Sequence, residues 1–134
     1  MSERTDVRTV VSSMVDAVNR GDLAAANAAF TAEPVIVEDI PPFRWQGKSA
    51  VADWLAAMGA TAVQLGVIAV AMELGRQGRT DIVADRAYAL FPGHLHMSLP
   101  GGELAANGKL TFVLDRGSGR WLIDTLVWSG ALPA

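Results

Sequence analysis

Two carboxylates in this 134-residue chain stand where chemistry is feasible. The first is Asp39, which follows the apolar run Val35-Ile36-Val37 and Glu38, after two helical segments. A carboxylate at that strand end is either a general base facing a dry pocket or a simple charge at the end of a strand. Apolar surroundings disfavour the ionised form and lift the pKa toward a range useful for proton transfer. The second is Asp124. Period-two alternation puts Leu122, Asp124, Leu126 and Trp128 on one face of the last strand. Asp is disfavoured in strand interiors, which points to a hydrogen-bonded or functional role unless that face is the outer one. A one-residue slip in register reverses the assignment.

Other candidates are less specific. Arg86 and Tyr88 share a strand face, and either can donate to a ligand oxygen. An inward Arg86 needs a carboxylate partner, Asp39 or Asp124, because an unpaired buried charge is very costly. The alternative turns Asp85 inward and leaves Arg86 and Tyr88 to a dimer interface. His94 and His96 fall on one side of an extended segment, but a metal site wants a third and usually a fourth ligand. Only Glu103 lies near them, so no metal is expected, and these histidines read as pocket-mouth or loop residues, one of them available as an acid or base. Of the four tryptophans, Trp54 and Trp128 are the ones expected to touch a ligand, since aromatic walls suit flat hydrophobic molecules. Gly101-Gly102 and Gly117-Ser118-Gly119 are turn chemistry, not a phosphate cradle.

The elements that position these residues follow from apolar spacing. Val7, Val10, Val11, Met14, Val15 and Val18 form one helical stripe over Val7 to Arg20. Ser2 suits its start and Gly21 its left-handed stop. Asp22 caps a second helix carrying Leu23, Ala26 and Phe30 inward, which Pro34 ends. Residues 35–39 read as a strand, and Pro41-Pro42 predicts a loop over 40–47. Ser49 opens a third helix with Val51, Trp54, Leu55 and Met58 on its buried face. Strands follow over Gln64 to Leu74, Asp81 to Phe91, Leu104 to Asp115 and Arg120 to Trp128. A loop or ragged hairpin extension is expected over Gly93 to Gly102. Helices first and an antiparallel meander afterwards predict an α+β fold, a curved sheet wrapping three helices around a cavity.

Composition excludes several classes. The chain length predicts one domain, residues 1–134, and 51% hydrophobic residues supply a core. A net charge of −3 argues against nucleic-acid binding, which needs a basic face. The eleven Lys and Arg are scattered, so no polybasic membrane patch is expected. No cysteine is present, which removes disulfides and thiolate catalysis. No signal core or spanning segment is read, so a cytoplasmic protein is expected.

Several segments together carry a family likeness. They are Asn19-Arg20-Gly21-Asp22-Leu23, Phe30, Val37-Glu38-Asp39, Trp45-Gln46-Gly47, Ala50-Val51 and Trp54-Leu55, then Leu110 to Leu114, Gly119 to Ile123 and Trp128-Ser129-Gly130. In this order the chain resembles the NTF2-like superfamily, and within it SnoaL-like and ketosteroid-isomerase-like proteins. The resemblance implies a cone: a strongly curved mixed β-sheet with three N-terminal helices enclosing an apolar pocket, commonly paired as a homodimer through the outer sheet face. It implies Asp39 as general base and Trp128 as pocket lining, and it turns Arg86 and Tyr88 inward. The steroid isomerase mechanism also needs two oxyanion donors, and the matching positions here are Met14 and Leu110. Losing one such donor typically costs about 10²–10³ in rate. Ordinary ketosteroid isomerisation is therefore not expected.

The expected function is a SnoaL-like protein binding a small hydrophobic, polyketide- or steroid-like molecule. As an isomerase, cyclase or lyase it uses Asp39 and Asp124 catalytically, with Met14, Trp54, Arg86, Tyr88, Leu110, Phe112 and Trp128 around the substrate and no cofactor. The alternatives are a non-catalytic ligand-binding or dimerisation module and, ranked lower, an epoxide-hydrolase-like enzyme using paired carboxylates with Arg86.

Overall fold

The computed structural model describes residues 2–131. The Ser2 hydroxyl accepts the Thr5 backbone N–H at 3.1 Å and opens α1, Glu3–Arg20, four residues earlier than the apolar stripe alone implies. Val7, Val11, Met14 and Val15 are buried along it, and Gly21 ends it at φ 70°, where glycine bears no Cβ penalty. Asp22 then accepts the Ala25 N–H at 3.0 Å and caps α2, Leu23–Ala28.

Strand β1, Phe30–Val37, starts where the second helix was expected to continue. Pro34 lies inside this strand, within an irregular stretch of the pairing between Phe30 and Val35. A missing N–H is tolerated where the ladder is already interrupted. The segment expected as a loop contains β2, Arg44–Gln46, antiparallel to β1. Pro41-Pro42 form the turn between them instead of blocking the pairing. Helix α3, Ala50–Gln64, buries Val51 and Trp54, while Ser49 at its cap position makes no side-chain capping bond.

The remaining strands are β3 (Ala69–Leu74), β4 (Thr80–Val83), β5 (Arg86–Leu99), β6 (Gly102–Asp115) and β7 (Leu122–Ala131). The single strand expected over 81–91 is two, because Ala84 turns the chain at φ 52°. The stretch from Gly93 to Leu99, expected as loop or hairpin extension, is the outer half of the β5–β6 ladder.

One seven-stranded sheet runs β2-β1-β7-β6-β5-β3, with β4 also on β5. The β1–β7 pair is parallel and the other pairs are antiparallel, so the sheet is mixed, and it is curved and unclosed. Helix α1 packs on β3 and β7, and α3 on β1 and β2. Their shared core is built from Val7, Val11, Ile36, Phe91, Phe112 and Leu126. The Asn19 side chain clamps the end of α1 to the sheet, giving and receiving hydrogen bonds at Met72 (2.8 and 2.9 Å). Among the described residues no helix is long and apolar enough to cross a membrane.

Candidate functional site

Between the helices and the concave face of the sheet lies a cavity of about 560 Å³. That lies within the range of small-molecule sites. Met14 and Val18 come to it from α1, Trp54 and Met58 from α3, and Leu110, Leu126 and Trp128 from the sheet. Its lining is hydrocarbon and indole apart from Asn19, Thr61, Glu38 and Asp39. Leu23, Leu65 and Val70 both line it and reach solvent, so its mouth has an apolar lip.

The carboxylate held inside is Glu38. Ile36 is fully buried in β1, and period-two alternation carries Glu38 to the same side two residues on. Its backbone N–H donates to the Phe43 carbonyl at 3.1 Å, which fixes it beside the β1–β2 turn. From α3 the Trp54 indole Nε1–H donates to Glu38 Oε2 at 2.6 Å. Burial pushes the Glu38 carboxyl up from 4.5 to about 6; the Trp54 hydrogen bond opposes that rise and the neighbouring Asp39 charge adds to it. Glu38 therefore exchanges its proton close to neutrality inside an apolar chamber. Asp39, on the other side of the chain, is exposed at the edge of the same cavity.

The floor beneath Trp128 has an unusual composition. Gly93 of β5, Gly108 of β6 and Gly130 of β7 stand in one register row across the sheet. A Cβ on any of them meets the Trp128 ring, at 2.8 Å from Gly93, 2.7 Å from Gly108 and 2.5 Å from Gly130. The indole thus lies against bare backbone. Three missing side chains are what give it room there and leave the volume above it open.

The other expected site residues are dispersed. Leu110, Met14, Trp54 and Trp128 do line the cavity. Phe112 faces the same layer but packs edge-to-face on Phe91 (centroids 5.8 Å apart), in the core and off the lining. Arg86 and Tyr88 do not turn inward. Ala87, Ala89 and Phe91 take the buried side of β5, so their neighbours point out. There Arg86 pairs with Asp115 at 3.1 Å with 64% of its side chain exposed, and Arg79 stacks over Tyr88. Asp124 leaves the Leu126–Trp128 face, because the β6–β7 register shifts between Val113, opposite Thr125, and Leu114, opposite Ile123. Asp124 is the extra residue, and Ile123 takes the buried position. Its carboxylate accepts from the Thr125 hydroxyl at 3.1 Å and is not on the cavity lining. His94 bonds Asn107 at 2.7 Å, and His96 stands 4.0 Å from Glu73.

A cone of curved sheet and three helices, closed over an apolar chamber with a carboxylate at the β1 end, defines an NTF2-like fold. The chain belongs to the SnoaL-like domain family, whose profile matches residues 1–127. Solved structures with the same fold include a ketosteroid isomerase-like protein from Erwinia carotovora atroseptica (20% identity, 98% of each chain covered, TM-score 0.75). An NTF2-like protein with a cystatin-like fold from Novosphingobium aromaticivorans also matches (16% identity, 97% of this chain and 81% of that one, TM-score 0.73). So does a LinA-type hexachlorocyclohexane dehydrochlorinase from Novosphingobium barchaimii (13% identity, 98% and 86%, TM-score 0.77). No curated protein matches the chain by sequence.

Proposed function

We propose that this protein binds a flat, hydrophobic small molecule of polyketide- or steroid-like shape, and that Glu38 moves a proton on it in an isomerase-, cyclase- or lyase-type step. The observation that carries this reading is Glu38 itself, held on the cavity lining by the Trp54 N–H, where burial pushes its carboxyl up to about 6. A base with that acidity is substantially ionised at neutral pH and able to return the proton it takes. Asp39 serves as the second carboxylate at the rim, raising the proton affinity of its neighbour. The shared fold of a dehydrochlorinase and an isomerase-like protein supports proton-transfer chemistry as the class. Arg86, on the far face of β5, lends no support to the epoxide-hydrolase alternative.

Met14 and Leu110 favour a second reading, a binding module without turnover, because neither can stabilise an oxyanion. The two separate in deuterium oxide with 2-tetralone, a flat ketone with exchangeable α-protons, followed by proton NMR. The catalytic reading expects exchange accelerated about 10²-fold over buffer, near the low end for one general base. Glu38→Gln loses that acceleration and Asp39→Asn keeps most of it. Saturable binding with exchange at the buffer rate for all forms leaves the binding module as the function.

A further inference from the structure

The charge census of the cavity is one-sided. Glu38 and Asp39 are its only ionisable lining residues, and no Lys, Arg or His reaches it among the described residues. Glu38 is partly buried, and a carboxylate drawn out of water is favoured by a cation beside it, because an unpaired charge in a low-dielectric site is costly. Here Glu38 has one neutral partner, the Trp54 N–H on Oε2, and among the described residues Oε1 accepts no hydrogen bond. The carboxylate nevertheless borders an open chamber whose lining includes the Trp54 and Trp128 indoles.

The hydrogen-bond donors on the lining are few, and none is charged. The Asn19 amide spends one N–H and its oxygen on the Met72 backbone and keeps a second N–H, the Trp54 N–H is taken by Glu38, and the Trp128 N–H makes no hydrogen bond among the described residues. Thr61 is the remaining side-chain hydroxyl on the lining. An anionic ligand group would meet two carboxylates and no compensating charge. An anion developing on a neutral substrate would meet hydrocarbon at Met14 and Leu110 and have only these neutral donors to turn to. A cation avoids both difficulties: it supplies the missing countercharge, and loss of a proton from it leaves a neutral product needing no oxyanion donor.

We propose that the physiological ligand of this cavity is an apolar organic cation, an amine or iminium on a flat hydrocarbon body, whose nitrogen seats against Glu38 with its body over Trp128. This rests on the reading of the cavity as a site for flat hydrophobic molecules and adds the charge of the ligand to it.

Three probes with one ring system and different charge test it on the intact protein: 2-naphthylmethylamine, 2-naphthylmethanol and 2-naphthoate, titrated calorimetrically at pH 7.5. The cation is expected to bind at least tenfold tighter than the alcohol, and the carboxylate at least tenfold weaker. In Glu38→Gln the amine should fall to within about threefold of the alcohol. Amine and alcohol binding equally to the unaltered protein, or naphthoate matching the alcohol, overturns the charge assignment and leaves the hydrophobic site standing. Failure of all three to bind overturns both.

Discussion

Glu38→Gln is expected to stabilise the protein by about 2 kcal/mol at pH 7.5 and to leave it unchanged at pH 4, each against the unaltered chain at the same pH. The folded carboxyl titrates at about 6 against 4.5 ordinarily, so the folded state binds this proton more tightly than the unfolded state does. Below 4.5 both states are protonated and the group makes no difference. Between 4.5 and 6 the folded chain holds more protons than the unfolded one, and stability from this group falls as pH rises. Above 6 the full cost is present. Each pKa unit corresponds to about 1.4 kcal/mol. Gln keeps an oxygen for the Trp54 N–H and removes only the charge. Urea unfolding of both proteins from pH 4 to 8 reads the difference directly. A gain independent of pH, or none at pH 7.5, contradicts a desolvated carboxylate.

The second large effect lies in the sheet. Gly108→Val should destabilise the protein by about 3 kcal/mol, at the upper end for overpacking, and lower Tm by roughly 10 °C. The new Cβ meets the Ser129 carbonyl, the Gly130 Cα and the Trp128 ring at once, and two of these are backbone that cannot swing aside. If the chain folds, the indole must lift into the cavity, so binding of 2-naphthylmethanol falls with stability. Gly101→Val is the control, because a Cβ there meets nothing within 4 Å. Equal behaviour of the two variants contradicts the role of the glycine row.

The helical half of the fold was legible because its signals are local. The stripe on α1, Ser2, Gly21 and Asp22 each act within one turn, and each is where it was expected. The strands were blurred where tertiary pairing overrode local chemistry. Pro34 sits within β1 because the ladder is already irregular there, and Ala84 makes a turn without Gly or Pro at the bend. The site suffered from parity. Val35-Ile36-Val37 is apolar on both faces, so the sequence does not say whether Glu38 or its neighbour turns inward. The burial of Ile36 decides for Glu38. Strict alternation misplaced Asp124 because one bulge residue shifts every side chain beyond it. Arg86 and Tyr88 followed a family likeness, whereas the small residues Ala87 and Ala89 take the inner side of β5. The glycine row was invisible along the chain, since Gly93, Gly108 and Gly130 become neighbours only once the register is known.

The proposed function requires Glu38 to be a proton-exchanging carboxylate inside a cavity a ligand can enter. Carboxyl-carbon NMR of selectively labelled glutamate, assigned to Glu38 through Glu38→Gln and titrated with and without saturating 2-naphthylmethanol, tests it most directly. A midpoint at about 6 in the free protein is predicted, moving upward when the neutral ligand strips remaining water from the carboxyl. A midpoint near 4.5 that the ligand leaves in place would contradict it.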